Sequence, residues 1–549
     1  MKNVCQQLNV NLLGLRQLFY VVIFNTKLRL KYTYMHSNMR RKFPHLVFVF
    51  LLIPFFGISQ KATLKRLDKY FQTNLEAWNI PGMSVAIVKD DSLVFAKGYG
   101  VRDIVTKEAV DENTLFAIAS NSKSFTSAAL AILVDQGKLK WDDKVIDYLS
   151  YFKLYDPYVT HSMTIRDLLS HRSGLKTFSG DLIWYGSSHS REEVIRRAGF
   201  LKPRYSFRTE FGYSNIMYLA AGQIIPIICN TSWDNFVKTR FFKPLGMTRT
   251  ITSVEDIKSM NNVAIPHNNI GGTNIKVGYM NWDNIGPAGS IISSAKDMSQ
   301  WLKLHLNDGY LNEKSIVSGE QIREMRHPHV SKRVGVGSES LWPTKHFSSY
   351  GLGWDLFDYN GYKVVTHGGG YDGMISQTVM VPELDLGFVI LTNNTNSLPY
   401  ALMFSVLDEY TNMDEKQDWG DLFLEFHKSG KEAEQREAYS NAQKRVPDTR
   451  PSMPLGQYVG IYYDEMYGKV EVKQINGKLE VQFLPTSIFY GNLEHWHYDT
   501  FTIEMTAVPS LKKGKCSFVI DSQGEVEEMR IDIPNPDFDF TELEFKKIQ

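Results

Sequence analysis

The chain has 549 residues, 43% of them hydrophobic and 22% charged, with a formal net charge of +1. That is ordinary globular composition, long enough for two or three domains with sizeable cores. The near-neutral balance offers no electrostatic attraction for nucleic acid or an anionic membrane surface, so neither is expected as a partner.

In chain order, the first informative stretch is Met39-Arg40-Arg41-Lys42, then an apolar run from Leu46 to Phe56, then Gly57-Ile58-Ser59-Gln60. A basic n-region, a short apolar core and small residues at its end describe a secretory signal peptide. The run is too short to cross a bilayer comfortably as a permanent helix. Residues 1–59 are therefore read as an N-terminal extension plus signal peptide, with Met39 a candidate start. The mature chain is expected to be exported, periplasmic or extracellular, with no stable membrane span; an uncleaved signal anchor is the alternative. Of three cysteines, Cys5 falls in the extension, while Cys229 and Cys516 fall in different segments, so no disulfide framework is expected.

An amphipathic helix is predicted around Leu64–Trp78, followed by a hairpin of Met83–Lys89 and Leu93–Gly98 across Asp90-Asp91-Ser92. A helix from Ser120 to about Gln136 ends at Gly137. Further helices are read at Ile165–Ser170, Glu192–Arg197, Ile216–Ile228, Trp233–Arg240 and Ala295–Asn307. Strands return at Lys363–His367, Met374–Val381 and Leu386–Thr392. This β, α, β order predicts one α/β domain, residues 60–412, whose antiparallel sheet is built from both ends of the segment. Residues 413–450 read as a charged helical linker. Residues 451–549 run strand after strand, with Asn476-Gly477 a strong hairpin turn, and predict a small all-β barrel or sandwich.

Chemistry is concentrated at three places. Ser120-Asn121-Ser122-Lys123 enters a helix, where free backbone N–H groups and the helix dipole surround the serine. Lys123 lies one turn on along the same face, within reach of the hydroxyl, and a desolvated lysine can act as its base. S-x-x-K begins at Ser120, Ser173, Ser293 and Ser510; only the first combines an apolar strand-like run before it with a small-residue helix after it. Phe211-Gly212-Tyr213-Ser214-Asn215 precedes an apolar helix. Tyr213 beside a lysine ammonium is expected to have a lowered pKa and to shuttle a proton, and Asn215 to orient substrate. His367-Gly368-Gly369-Gly370 closes the strand Lys363–Thr366. Its glycines would let substrate lie along the strand edge, with a backbone N–H there and that of Ser120 forming an oxyanion hole.

As an ordered set, Ser-x-x-Lys, Tyr-x-Asn and His-x-Gly resembles the serine β-lactamase and penicillin-binding-protein superfamily, and within it the class C β-lactamase-like hydrolases of peptidase family S12. The stretch Thr164–Leu175, Lys243-Pro244-Leu245-Gly246-Met247, Pro287-Ala288-Gly289-Ser290 and Tyr350-Gly351-Leu352-Gly353-Trp354 add to it, over roughly residues 64–410. The tail, with Glu494-His495-Trp496-His497-Tyr498-Asp499, resembles the accessory β domain that follows some of these hydrolases. The resemblance implies Ser120 as acylated nucleophile, Lys123 and Tyr213 sharing base and acid duty, Asn215 binding substrate, and His367, Gly369 and Gly370 as the third, substrate-binding motif. It also implies cleavage of an amide or ester, a D-amino-acid peptide or small ester, without a cofactor. Members acting on β-lactams typically carry Lys-Thr-Gly at the third motif. His367, mostly neutral near pH 7, grips a substrate carboxylate less well. A D-alanyl-D-alanine carboxypeptidase or β-lactamase is the alternative, and a catalytically silent peptidoglycan- or peptide-binding receptor the rival from another class.

Other signals carry less. His495 and His497 alternate on a strand and could form a metal pair, but no third ligand is evident, so no metal is expected. Arg197, Arg204 and Arg208 read as scattered, solvated charges.

Overall fold

The computed structural model describes residues 45–311, 313–413, 416–508 and 511–548. The basic stretch Met39–Lys42, Cys5 and the Ser510 that begins the last S-x-x-K lie outside the described residues. The described residues divide between Thr63 and Leu64 into two compact units. A helix spans His45–Ala77.

The first hairpin forms as its sequence predicts. Strands β1 (Gly82–Lys89) and β2 (Ser92–Gly100) pair antiparallel, and Asp90 and Asp91 both take positive φ, as a type I′ turn requires. Along β1 the side chains alternate between two cores: Met83, Val85 and Ile87 enter one, Ala86 and Val88 the other. A strand buried on both faces reads as a continuous apolar run, as this one does.

The remaining strands of this sheet are β3 (Val330–Lys332), β4 (Ser348–Tyr350), β5 (Asp355–Tyr359), β6 (Tyr362–Tyr371), β7 (Met374–Val381) and β8 (Leu386–Thr392). Their order, β2-β1-β8-β7-β6-β5-β4-β3, places the N-terminal hairpin beside the last strand. On one face, Leu67, Phe71 and Leu75 pack with the Leu398–Thr411 helix. On the other lie the Ala295–Leu306 helix and a helical region centred on Ser122–Asp135, which is buried continuously from Ser122 to Leu133. Its Ser, Thr and Ala side chains allow neighbours to approach closely. Phe125 stacks on Trp301 at 3.7 Å, and the Trp301 and Trp233 indoles donate to Ser124 and Thr126.

Beyond the Trp419–Gln443 helix, eight antiparallel strands close into a barrel by pairing Gly460–Asp464 with Phe545–Lys547. The barrel packs on the helical region. Tyr185 meets Phe538 at 4.5 Å, and Glu542 accepts hydrogen bonds from the Ser179 hydroxyl (2.6 Å) and the Gly180 N–H (2.9 Å).

Three expectations change. The His367 glycines do not end their strand. β6 continues through them to Tyr371, because β7 offers partners for every one. Arg197 and Arg208 are not solvated spectators: Arg197 pairs with Glu193 and reaches the Met466 carbonyl of the barrel, while Arg208 pairs with the fully buried Asp167. A register shift between His495 and His497 breaks the strict alternation assumed for them. Both rings are engaged with backbone groups, of Tyr498 and Val446.

Asp167 anchors the Ile165–Leu169 helix and the loop beyond it. It completes a capping box with Thr164 and accepts from Arg172 (2.5 Å) and Arg208 (2.7 Å). Burial alone would raise its carboxyl, but the bonds from Arg208 and Thr164 outweigh this and hold it below the ordinary value. Asp167→Ala strands two guanidiniums, so unfolding free energy should fall by about 3 kcal/mol, read as a lower urea midpoint at unchanged slope. Because the folded carboxyl is depressed, this stabilisation is present above about pH 4 and fades in stronger acid, so the gap between variant and wild type should narrow there.

Candidate active site

The turn into the Ser122–Asp135 helix is built to present Ser120. It begins as a 3₁₀ turn, Ala119–Asn121, with Ala119 at φ +47°, a left-handed conformation that strains any residue with a Cβ. Its neighbours hold it there. The Ile118 carbonyl accepts from Ser376 Oγ at 2.8 Å, and Asn121 Nδ2 donates to the same Ser376 Oγ at 2.8 Å. Gly369 on β6 lies so close that a Cβ would stand 2.2 Å from the Ile118 carbonyl oxygen. Only glycine lets the strand approach the Ser120 turn this far.

Lys123 is fully buried, and its ammonium position is saturated. Nζ lies 3.1 Å from Ser120 Oγ, 2.7 Å from Asn215 Oδ1 and 3.0 Å from the Ala288 carbonyl. Its pKa is lowered to about 7 by burial, against an opposing pull from the Asp181 carboxylate. Asp181, which no sequence motif flagged, is the counterpart. It accepts from Asn215 Nδ2 at 2.7 Å and from the Trp184 indole at 2.8 Å, and burial raises its carboxyl to about 7. Burial carries both groups toward their neutral forms, and the charge of each opposes that shift in the other.

Tyr213 is placed by clamps on its backbone. Gly212 fits where a Cβ would meet the Leu175 carbonyl at 1.8 Å, the Tyr213 N–H donates to Thr177 Oγ1, and its carbonyl accepts from the Phe178 N–H. Ser214 then caps the Asn215–Cys229 helix. The Tyr213 ring lies under the Lys123 ammonium, its centroid 4.6 Å away. The expected lowering of this phenol is reversed: burial pushes it well above the ordinary value. Proximity to a cation does not compensate for lost water here. His171 braces the ring face at 4.3 Å and accepts the Ser214 N–H at 3.0 Å, so its proton sits on Nε2; burial keeps it neutral.

His367 is also neutral, lowered to about 4 chiefly by burial. Its Nδ1–H donates to the Gly368 carbonyl, which leaves Nε2 to accept from the Tyr350 hydroxyl at 2.9 Å. A fixed cation for a substrate carboxylate is thus missing from this motif.

Ser120, Tyr213, Asn215, His367 and Gly370 line one cleft of about 620 Å³. The other two predicted residues do not line it: Lys123 is buried behind Ser120, and Gly369 is packed against Ile118. Besides Asp181, His171 and Tyr350, sequence reasoning missed Asp372 and the barrel turn Asn535–Phe538, which close one side. His171 and Tyr350 sat inside stretches already noticed as family-like; nothing marked the other three. Among the described residues no group of three metal-ligating side chains occurs.

Residues 67–403 match the Beta-lactamase family, and residues 444–547 match a domain family of unknown function, DUF3471. An unguisins hydrolase of Aspergillus violaceofuscus is 27% identical over 82% of this chain and 84% of its own length. Protein flp of Staphylococcus aureus is 28% identical over 63% of this chain and 69% of its own. Among solved structures, an octameric penicillin-binding protein homologue from Pyrococcus abyssi shares the fold with a TM-score of 0.56 at 21% identity, over 88% of this chain and all of that one. EstCE1, a hydrolase with promiscuous acyltransferase activity, has a TM-score of 0.54 at 20% identity, over 64% of this chain and all of that one. The chain belongs to the Beta-lactamase family and is a serine hydrolase, its α/β domain followed by a closed eight-stranded β-barrel.

Proposed function

We propose that Ser120 is the acylated nucleophile of an exported hydrolase that cleaves an amide or ester, with a D-amino-acid peptide or small ester as substrate. One observation carries the reading: a buried lysine whose amine is near neutrality at pH 7 sits 3.1 Å from the Ser120 hydroxyl. The neutral amine takes the hydroxyl proton, directly or through Tyr213, as Oγ bonds to the carbonyl carbon. When the tetrahedral intermediate collapses, the C–N or C–O bond breaks and the proton passes to the leaving group. Water then repeats the sequence on the acyl-enzyme, releasing the acid and restoring Ser120. The backbone N–H groups of Ser120 and Gly370 are assigned to the oxyanion. Asn215 holds Lys123 with one end of its amide and Asp181 with the other, which fixes its orientation.

The neutral, buried His367 favours an esterase- or peptidase-like substrate over a β-lactam, whose carboxylate would find no cation there. The names of the Aspergillus hydrolase and of EstCE1, a hydrolase with acyltransferase activity, agree with a hydrolytic reading. Export rests on the segment Met39–Gln60; among the described residues no single helix is long and apolar enough to cross a membrane.

Ser120→Ala should fold normally and lose at least about 1000-fold in kcat, and intact-mass spectrometry should show a fluorophosphonate adduct on wild type only. Full turnover in the variant would reject the assignment. The acid limb of kcat/KM should rise with pH to a midpoint near 7, because the unprotonated Lys123 is the base. Asp181→Asn removes the group that raises Lys123, so that midpoint should move to lower pH; an upward move would contradict the pairing.

A further inference from the structure

His171 combines backbone strain with an unpaired polar atom at one buried position. Its φ is +57°, in the left-handed region that strains a residue with a Cβ. Its side chain is fully buried. With Nδ1 accepting the Ser214 N–H, the ring proton lies on Nε2, and among the described residues that buried nitrogen has no hydrogen-bond partner. A phenyl ring would fill the space without an orphaned donor. A residue that is unfavourable in both respects is explained by something that only an imidazole in this conformation supplies.

What it supplies is a hold on Tyr213 from three directions. The His171 carbonyl accepts the Gly212 N–H at 2.8 Å, and its Nδ1 accepts the Ser214 N–H at 3.0 Å. Both chain neighbours of Tyr213 are thus tied to one residue, the first by backbone and the second by side chain. Between these two bonds the imidazole lies 4.3 Å from the Tyr213 ring, tilted by 35°.

His171 is itself wedged in place. Phe211, Tyr218 and Tyr350 enclose the imidazole at 5.6, 5.0 and 4.8 Å. The polar ends of the two tyrosines are engaged elsewhere, Tyr218 on the Leu169 carbonyl and Tyr350 on His367. On its other side the loop is fixed by Asp167, which holds Arg172 and Arg208. His171 does not line the Ser120 cleft, so it reaches the chemistry only through Tyr213, whose ring centroid is 4.6 Å from the Lys123 ammonium.

We propose that His171 is the positioning residue of Tyr213, bracketing its backbone and bracing its ring so that the phenol stays beside Lys123. The inference rests on the reading of Ser120, Lys123 and Tyr213 given above and deepens it; the clamp itself can be measured without that reading.

The test follows fluorophosphonate labelling of the full chain. Ser120 Oγ bonds to phosphorus, fluoride leaves, and the hydroxyl proton passes to Lys123, so the rate reports the proton path without any choice of substrate. His171→Ala removes ring and acceptor together. Its limiting labelling rate should fall by about tenfold or more, with the half-saturating probe concentration within about threefold of wild type. His171→Asn keeps an acceptor beside Ser214 and suits a left-handed backbone, so its rate should fall between the two, and it carries the comparison should His171→Ala not fold. In a Tyr213→Phe background, with no hydroxyl left to position, either change should slow labelling by less than about twofold. A wild-type rate in either folded variant, or an equal loss with and without the Tyr213 hydroxyl, would overturn the role. Amide hydrogen exchange over residues 211–217 should quicken by about tenfold in His171→Ala, or in His171→Asn in its place, and unchanged exchange would overturn the clamp. The two readings separate: a wild type that takes no probe removes the Ser120 assignment, and the clamp then stands or falls on exchange alone.

Discussion

An amine buried beside a hydroxyl is the constraint around which the α/β domain is arranged. Lys123 has no access to water, so each of its donors must be met by protein. The acceptors come from three separate parts of the chain: the 3₁₀ turn at Ser120, the first residue of the Asn215–Cys229 helix, and the carbonyl of Ala288. Helical elements far apart in sequence therefore have to converge on one nitrogen. The convergence explains the small-residue helix, since bulkier side chains from Ser122 to Ala131 would hold those elements apart. It also sets the chemistry, because the desolvation that makes the site costly to build is what frees the amine to accept a proton.

The barrel is coupled to this centre rather than merely attached to it. Glu542 holds the Ser179 hydroxyl and the Gly180 N–H, and Gly180 takes φ +78° to turn the chain into Asp181. Asp181 then orients Asn215, which orients Lys123. One hydrogen bond, from the Gly180 N–H to Glu542, and one peptide link separate a barrel carboxylate from Asp181, and the nearby Asn535–Phe538 turn of the barrel enters the cleft. The packing of Tyr185 on Phe489 and Phe538 makes this join apolar at its centre.

Much of this was legible in the sequence wherever the signal was local. The Asp90-Asp91 hairpin, the Asn476-Gly477 turn and the strands Met374–Val381 and Leu386–Thr392 follow from turn chemistry and periodicity alone. Ser120, Lys123, Tyr213, Asn215 and His367 were each locatable, and the structure brings them to one cleft. What escaped was non-local. Asp181, Asp372 and Asp537 carry no motif, and their proximity exists only once the barrel docks. The glycines after His367 were misread as a strand end, because glycine signals a turn unless a partner strand continues beside it, as β7 does. The Tyr213 phenol was misjudged because a single neighbouring cation was weighed without the burial that outweighs it.

The burial that raises the Tyr213 phenol also bears on how a proton moves in the proposed mechanism. Burial drives every titratable group at the centre toward its neutral form: Lys123 downward, Asp181 and Tyr213 upward, His171 and His367 downward. In such surroundings a separated charge is expensive, and a tyrosinate would be the costliest of them. In the proposed mechanism Tyr213 therefore passes a proton between Ser120 and Lys123 rather than holding a vacancy for one. There, charge develops instead at the oxyanion and at the Lys123 ammonium together. The ammonium is the better placed of the two, since Asp181 lies within electrostatic reach to support it. The Asn215 amide, set between Lys123 and Asp181, keeps the two from closing into a direct ion pair, which would leave the lysine protonated and Ser120 without a base.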